Sequence, residues 1–175
     1  MKSNLRFILD KLDLARVNAF KNIVTYKNRD FNLPNEIPEN VALRKPTKQS
    51  STAQSDFPSF KAVDGLTHTI SHTDLNASPY LWVDLEIIYN IIRIEIINRA
   101  DYGNRLHDLD ITIGPGLDHM SMCAHFIGPG NDGEYLVFQC REWYKDGRFV
   151  KMTIIKGPEY LQLAEVKVFG YPTFE

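Results

Sequence analysis

The run Ile-Ile-Arg-Ile-Glu-Ile-Ile at 91–97 constrains the fold more than any other feature of the chain. Ile92, Ile94 and Ile96 fall on one side of an extended segment, and Arg93 and Glu95 on the other. Successive side chains of a strand point to opposite faces, so this alternation predicts a strand with one face in a core. Shorter segments of the same character lie at 41–44, 80–85, 109–113, 134–140, 149–155 and 164–169. In the last of these, Val166 and Val168 face one way, Glu165 and Lys167 the other. Turn signals separate them: Asp64-Gly, Tyr102-Gly-Asn, Gly114-Pro-Gly, Gly128-Pro-Gly-Asn-Asp-Gly, Asp146-Gly and Gly157-Pro. Many short, half-buried strands between tight turns predict an all-β fold, an antiparallel β-sandwich or jelly roll.

The first 39 residues read differently. Leu5, Ile8, Leu9, Leu12, Val17, Phe20 and Val24 recur at helical spacing, which predicts a short amphipathic N-terminal helix over 4–25 with Ser3 as its cap. Lys27-Asn-Arg-Asp30 and the Pro34 and Pro38 stretch then read as a linker. The chain of 175 residues thus divides into an N-terminal helix and linker (1–39) and one sizeable domain (40–175). The helix needs a partner for its apolar face, either the main domain or a second subunit of a homo-oligomer. A net charge of −2 leaves no footprint for nucleic acid. No stretch approaches the ~18 uninterrupted apolar residues of a membrane span, so no membrane insertion is expected. Asp10, Lys11, Asp13 and Arg16 interrupt any apolar core of a signal peptide in residues 1–25. Cys123 and Cys140 flank a predicted hairpin, an arrangement open to a disulfide or to two buried thiols.

The chemistry concentrates at the end of the strongest strand. Arg99-Ala-Asp101 follows the run at 91–97, with Arg105 close behind and His72 separated from Arg99 by 26 residues. Two guanidiniums, an imidazole and a carboxylate held at strand ends form a rigid polar pocket suited to a neutral polyol. A strand-end Arg-x-Asp pair on its own is more often a local ion pair than a ligand site. No nucleophile elbow, phosphate loop or paired-carboxylate spacing is visible, so an enzyme is not expected. His68 and His72 lie four apart, but in a loop and without a third ligand, which disfavours zinc.

These residues resemble a known family. Asn40-Val-Ala-Leu-Arg-Lys-Pro-Thr, Ala62-Val-Asp-Gly, Trp82-Val-Asp-Leu, Ile96-Ile-Asn-Arg and Ala164-Glu-Val-Lys-Val-Phe-Gly look like stretches of discoidin-like (coagulation factor 5/8 C-type) domains. Within them the chain is most similar to the F-type lectins, over roughly residues 40–171. Their motif is a His, twenty-six residues, Arg-x-Asp, four residues, then Arg or Lys. The first spacing matches, but only Tyr102, Gly103 and Asn104 lie between Asp101 and Arg105. The family's two adjacent cysteines at this loop are replaced by the single Tyr102.

The resemblance implies a lectin for L-fucose-containing glycans. His72, Arg99 and Arg105 would bond the sugar, Asp101 would orient the basic groups, and Tyr102 would supply a stacking face. Phe57, Leu66 and His68 are further candidates for an apolar wall. It also implies a structural calcium held by the carboxylates of Asp64 and Glu165, with backbone carbonyls of Lys61, Leu66, Thr69 and Ala164. An extracellular location follows from the resemblance alone. The competing expectation is a discoidin-type module that binds a protein or a lipid headgroup and has lost sugar binding.

Overall fold

The computed structural model describes residues 37–140 and 145–173. The helix expected over 4–25, and the subunit pairing assigned to it, lie outside these residues. Nine strands run through the described part: β1 (Glu39–Asn40), β2 (Thr47–Gln49), β3 (Ser71–His72), β4 (Tyr80–Asn98), β5 (Leu109–Gly114), β6 (Ser121–Phe126), β7 (Tyr135–Gln139), β8 (Lys145–Ile154) and β9 (Gln162–Pro172). Every pairing between them is antiparallel. Two short 3-10 helices, Ser59–Val63 and Gly103–Arg105, sit in the connections.

The two strands expected at 80–85 and 91–97 are one strand, β4. No glycine or proline interrupts 85–91, so the chain bulges instead of turning. The register against β8 shifts between Asp84 and Tyr89, and Glu86 takes a left-handed φ of 71°. Before the bulge β4 pairs with β2 and β8; beyond it β8 continues as far as Ile91, and β9 and β7 take up the rest. This one strand therefore serves both layers of the sandwich. The first layer runs β2-β4-β8-β5-β6, and the second runs β7-β4-β9, with β1 and β3 both on β9. The shared core draws Leu81, Val83, Ile111, Ile113, Val150 and Met152 from the first, and Ile94, Ile96, Leu163, Val166 and Val168 from the second. At about 25 cal/mol per Å², each such side chain contributes roughly 1.5–3 kcal/mol on burial.

Two local expectations are corrected. Residues 41–44 form a turn, not the opening strand. The Asn40 side chain accepts from the amides of Ala42 and Val168, Lys45 N–H closes onto the Ala42 carbonyl, and Arg44 adopts a left-handed φ of 58°. Local side-chain acceptance of this kind competes with a ladder. Ile92 is only half-buried, whereas Ile91 is fully buried. A bulge against β9, where Ile91 faces Gly170 and Arg93 faces Phe169, moves the apolar register by one residue. The open choice at the cysteines resolves to a disulfide between Cys123 and Cys140, which ties β6 to the end of β7.

Candidate functional site

The last residue of β4, Asn98, builds the floor of the site. It is buried, and its amide donates to the carbonyls of Gly103 and Asn131, both at 2.9 Å. Gly103 N–H in turn donates to Asp132 Oδ1 at 2.7 Å. The loop after β4 is thereby fastened to the loop before β7. Gly103 is required here by close approach: a Cβ would stand 2.4 Å from the Asn131 backbone.

On this floor the shortened loop brings Arg99, Asp101, Tyr102 and Arg105 together. Arg99 Nε donates to Asp101 Oδ1 at 2.7 Å. The Arg99 side chain is only 13% exposed against 62% for Asp101, so the acid forms the outer, solvent-facing member of the pair. Such a half-exposed pair adds at most about 1 kcal/mol of stability, and its main effect is to fix the guanidinium plane. Tyr102 adopts a left-handed conformation (φ 54°, ψ 33°), which places its ring beneath both cations. The guanidinium carbons of Arg99 and Arg105 lie 5.2 Å and 4.6 Å from its centroid. Arg105 also stands over Tyr160, 4.8 Å from that ring.

His72 reaches the same place from β3. Its ring meets Phe57 at 5.5 Å and Tyr160 edge-on at 5.5 Å. Nδ1 donates to the Thr73 carbonyl at 2.6 Å, and Nε2 accepts from the side-chain amide of Gln162. Burial, and then the charges of Arg99 and Arg105, hold the imidazole below its ordinary range, against the Thr73 bond and Asp74. Gln49 braces the loop behind it, donating to the carbonyls of Phe57 and His72. All five residues expected to bind sugar thus share one neighbourhood. Phe57 joins them. Leu66 and His68 stay exposed on the loop before β3, where Leu66 N–H and its carbonyl are engaged by Asp64 and Thr69. Tyr160 and Gln162 escaped the sequence reading. The only signal for them is the β3–β9 register, which sets His72 opposite Gln162.

The two carboxylates expected to hold calcium, Asp64 and Glu165, meet at the loop before β3. Asp64 accepts from Leu66 N–H through Oδ1 and from the Thr69 hydroxyl through Oδ2, both at 2.8 Å. Glu165 is fully buried; its Oε2 accepts from Gly65 N–H, and its Oε1 has no partner among the described residues. Burial, with the Asp64 charge adding to it, pushes the Glu165 carboxyl up to about 7. An orphaned buried carboxylate oxygen beside a second carboxylate is a site that suits a hard cation. No cluster of three or more His, Cys, Asp or Glu occurs among the described residues, so carbonyl oxygens would have to complete the shell.

The chain as a whole is similar to several known proteins. A family model described as a NedA-like, galactose-binding domain matches residues 61–152. Fucolectin-1 of Anguilla japonica is 35% identical over 162 residues, covering 83% of this chain and 88% of that protein. The crystal structure of an F-lectin (fucolectin) from Morone saxatilis (striped bass) serum superimposes with a TM-score of 0.72 at 29% identity, over 79% of this chain and half of that one. The lectin domain of lectinolysin, solved in complex with Lewis B antigen, gives a TM-score of 0.66 at 30% identity, over 75% of this chain and 96% of that domain.

Proposed function

Because this chain belongs to the F-type lectin (fucolectin) family of discoidin-like domains, we propose that it binds L-fucose-containing glycans in the pocket of His72, Arg99 and Arg105. One observation carries the reading beyond family membership: although its loop is one residue short, Arg99 and Arg105 flank the same Tyr102 ring, beside His72. The two arginines offer only donors, in fixed planes, to the ring oxygen and to the axial hydroxyl. The His72 Nε2 offers an acceptor. A hydroxyl that donates to the imidazole and accepts from a guanidinium satisfies both, and a sugar lacking it at that position leaves half-buried groups unpaired. The rings of Tyr102, Tyr160 and Phe57 provide the apolar surface that a methyl group needs.

Calcium belongs to the same proposal. Asp64 and Glu165 would hold it with the carbonyls of Lys61, Leu66, Thr69 and Ala164. The ion would neutralise the buried Glu165 carboxylate and its part-exposed neighbour Asp64, and stiffen the loop that leads into β3. A single sugar buries little area, so each site binds weakly, and useful avidity requires several sites per assembly. Subunit pairing through the N-terminal segment would supply them.

Titration with L-fucose, D-galactose and mannose, beside anionic liposomes, tests the function. Fucose should bind, and His72→Ala and Arg99→Ala should abolish binding while the fold stays intact. Binding to liposomes with no response to any sugar would refute the lectin reading in favour of a lipid-headgroup module.

A further inference from the structure

Both ring nitrogens of His72 are engaged, and their partners differ in kind. The Thr73 carbonyl can only accept, so Nδ1 must carry the proton. A neutral imidazole then has Nε2 as an acceptor, and that nitrogen must face a donor. The group facing it is the side-chain amide of Gln162, placed directly opposite by the β3–β9 register. Gln162 is 97% buried, its residual exposure being 3%, and its Oε1 has no partner among the described residues. A buried amide that spends its N–H on His72 while leaving its own oxygen unpaired is a costly arrangement. Packing alone gives no reason for it.

We propose that Gln162 is a positioning residue for sugar recognition: its amide N–H occupies the Nε2 lone pair of His72 in the sugar-free site and reserves that nitrogen for a hydroxyl that donates. The proposal rests on the sugar-pocket reading above and adds the polarity of one contact. A hydroxyl that displaces the Gln162 amide replaces one donor with another, so the His72 tautomer does not change on binding. The same hydroxyl keeps its lone pairs for Arg99 or Arg105, which only donate. Acid works against this state. A proton on Nε2 would set N–H against the Gln162 N–H, and would sit near the Arg99 and Arg105 charges on one side. Asp74, on the loop that follows β3, favours the proton, and Tyr160 closes the remaining side edge-on. Protonation therefore requires the amide to rotate and present Oε1, and it removes the acceptor that the sugar needs.

Nitrogen-15 NMR of His72 in the sugar-free protein, followed by fucose titrations between pH 5 and pH 8, tests the proposal. The wild type should show the neutral Nδ1–H tautomer at pH 7, and its affinity should fall only at a pH below the ordinary 6.5 of histidine. In Gln162→Glu the carboxylate accepts and does not donate, so it draws a proton onto Nε2. His72 should then be charged at pH 7, fucose affinity there should drop about tenfold, and the midpoint of the pH profile should rise by about one pH unit or more. An Nε2–H tautomer in the wild type, or a Gln162→Glu profile superimposable on the wild-type one, overturns the proposal. An Nε2–H tautomer in the wild type overturns it even if Gln162→Glu fails to fold, and Gln162→Met, which removes the donor without adding an acceptor, should then move the Nε2 chemical shift; an unmoved shift also overturns it. Should the wild type bind no fucose at any pH, the lectin reading falls, and the NMR spectra of the wild type and Gln162→Glu still decide whether His72 Nε2 responds to the group at 162.

Discussion

Gly103→Ala should unfasten the site loop, and the structure sets the size of the effect. The added Cβ would stand 2.4 Å from the carbonyl carbon and oxygen of Asn131 and 2.5 Å from the Asp132 nitrogen. Ordinary contact begins near 3.4 Å, so one backbone segment must retreat by about 1 Å. No flexible side chain stands at this contact to absorb the shift. The retreat pulls apart two of the bonds that join the segments, Asn98 Nδ2 to the Asn131 carbonyl at 2.9 Å and Gly103 N–H to Asp132 Oδ1 at 2.7 Å. The first is worth about 1 kcal/mol and the second, to a carboxylate, about 1.5–3 kcal/mol, for a total loss of roughly 2–4 kcal/mol. Fucose affinity should fall with it, since Tyr102 and Arg105 ride on the displaced turn. Gly133→Ala is the control: its φ is +63° and nothing lies within 4 Å of its Cβ, so it costs about 1–2 kcal/mol of backbone strain and spares the sugar site. Urea denaturation and fucose titration of both variants give the comparison. A Gly103→Ala protein within 0.5 kcal/mol of wild type, with unchanged affinity, would show that the two loops are not fastened as described.

Opening the Cys123–Cys140 bridge, whose cysteines are 17 residues apart, should cost about 3 kcal/mol by loop entropy; equal urea midpoints for the wild type and the double Cys→Ser variant would contradict this. A chelator should lower the melting temperature, and elemental analysis should find one calcium per chain. Glu165→Gln should abolish the response to chelator, and an unchanged wild-type melt with no bound metal would remove the calcium site. Tyr102→Gly relieves about 1–2 kcal/mol of left-handed strain and forfeits two exposed cation–π contacts of about 0.5–1 kcal/mol each, so stability should hardly move. Fucose affinity should nevertheless fall in that variant, and a wild-type dissociation constant would show that the ring does not touch the sugar.

Alternation exposed the strands wherever one face is buried and the other reaches solvent, as at 109–113; at 164–169 it found the strand, although Glu165 on the polar face is fully buried. It failed where a side chain or a bulge intervenes. The Asn40 carboxamide turns the apolar stretch 41–44 away from a strand, and a bulge at Ile92 gives Ile91 the core position that strict alternation assigns to its neighbour. Neither event leaves a periodic trace, because each depends on a single residue: Asn40 accepting from the amide two positions on, and Ile91 meeting Gly170 across the sheet. The site divides in the same way. His72, Arg99, Asp101 and Arg105 are legible because strand ends hold charges at fixed spacing. Gln162 lies 90 residues beyond His72 and meets it only through the β3–β9 register.

The loop from Asp101 to Arg105 shows what a spacing rule encodes. It specifies where two side chains must end, not the path between them. With three intervening residues instead of four, the chain regains its direction through the left-handed Tyr102 and the tight turn that follows, closed by Arg105 N–H to the Tyr102 carbonyl and Leu106 N–H to the Gly103 carbonyl. That geometry costs about 1–2 kcal/mol at a bulky residue, and the two guanidiniums over the ring offset much of it. The same left-handed turn that shortens the path also lays an aromatic face between the cations. The three-residue spacing and the aromatic face of Tyr102 are therefore one structural feature.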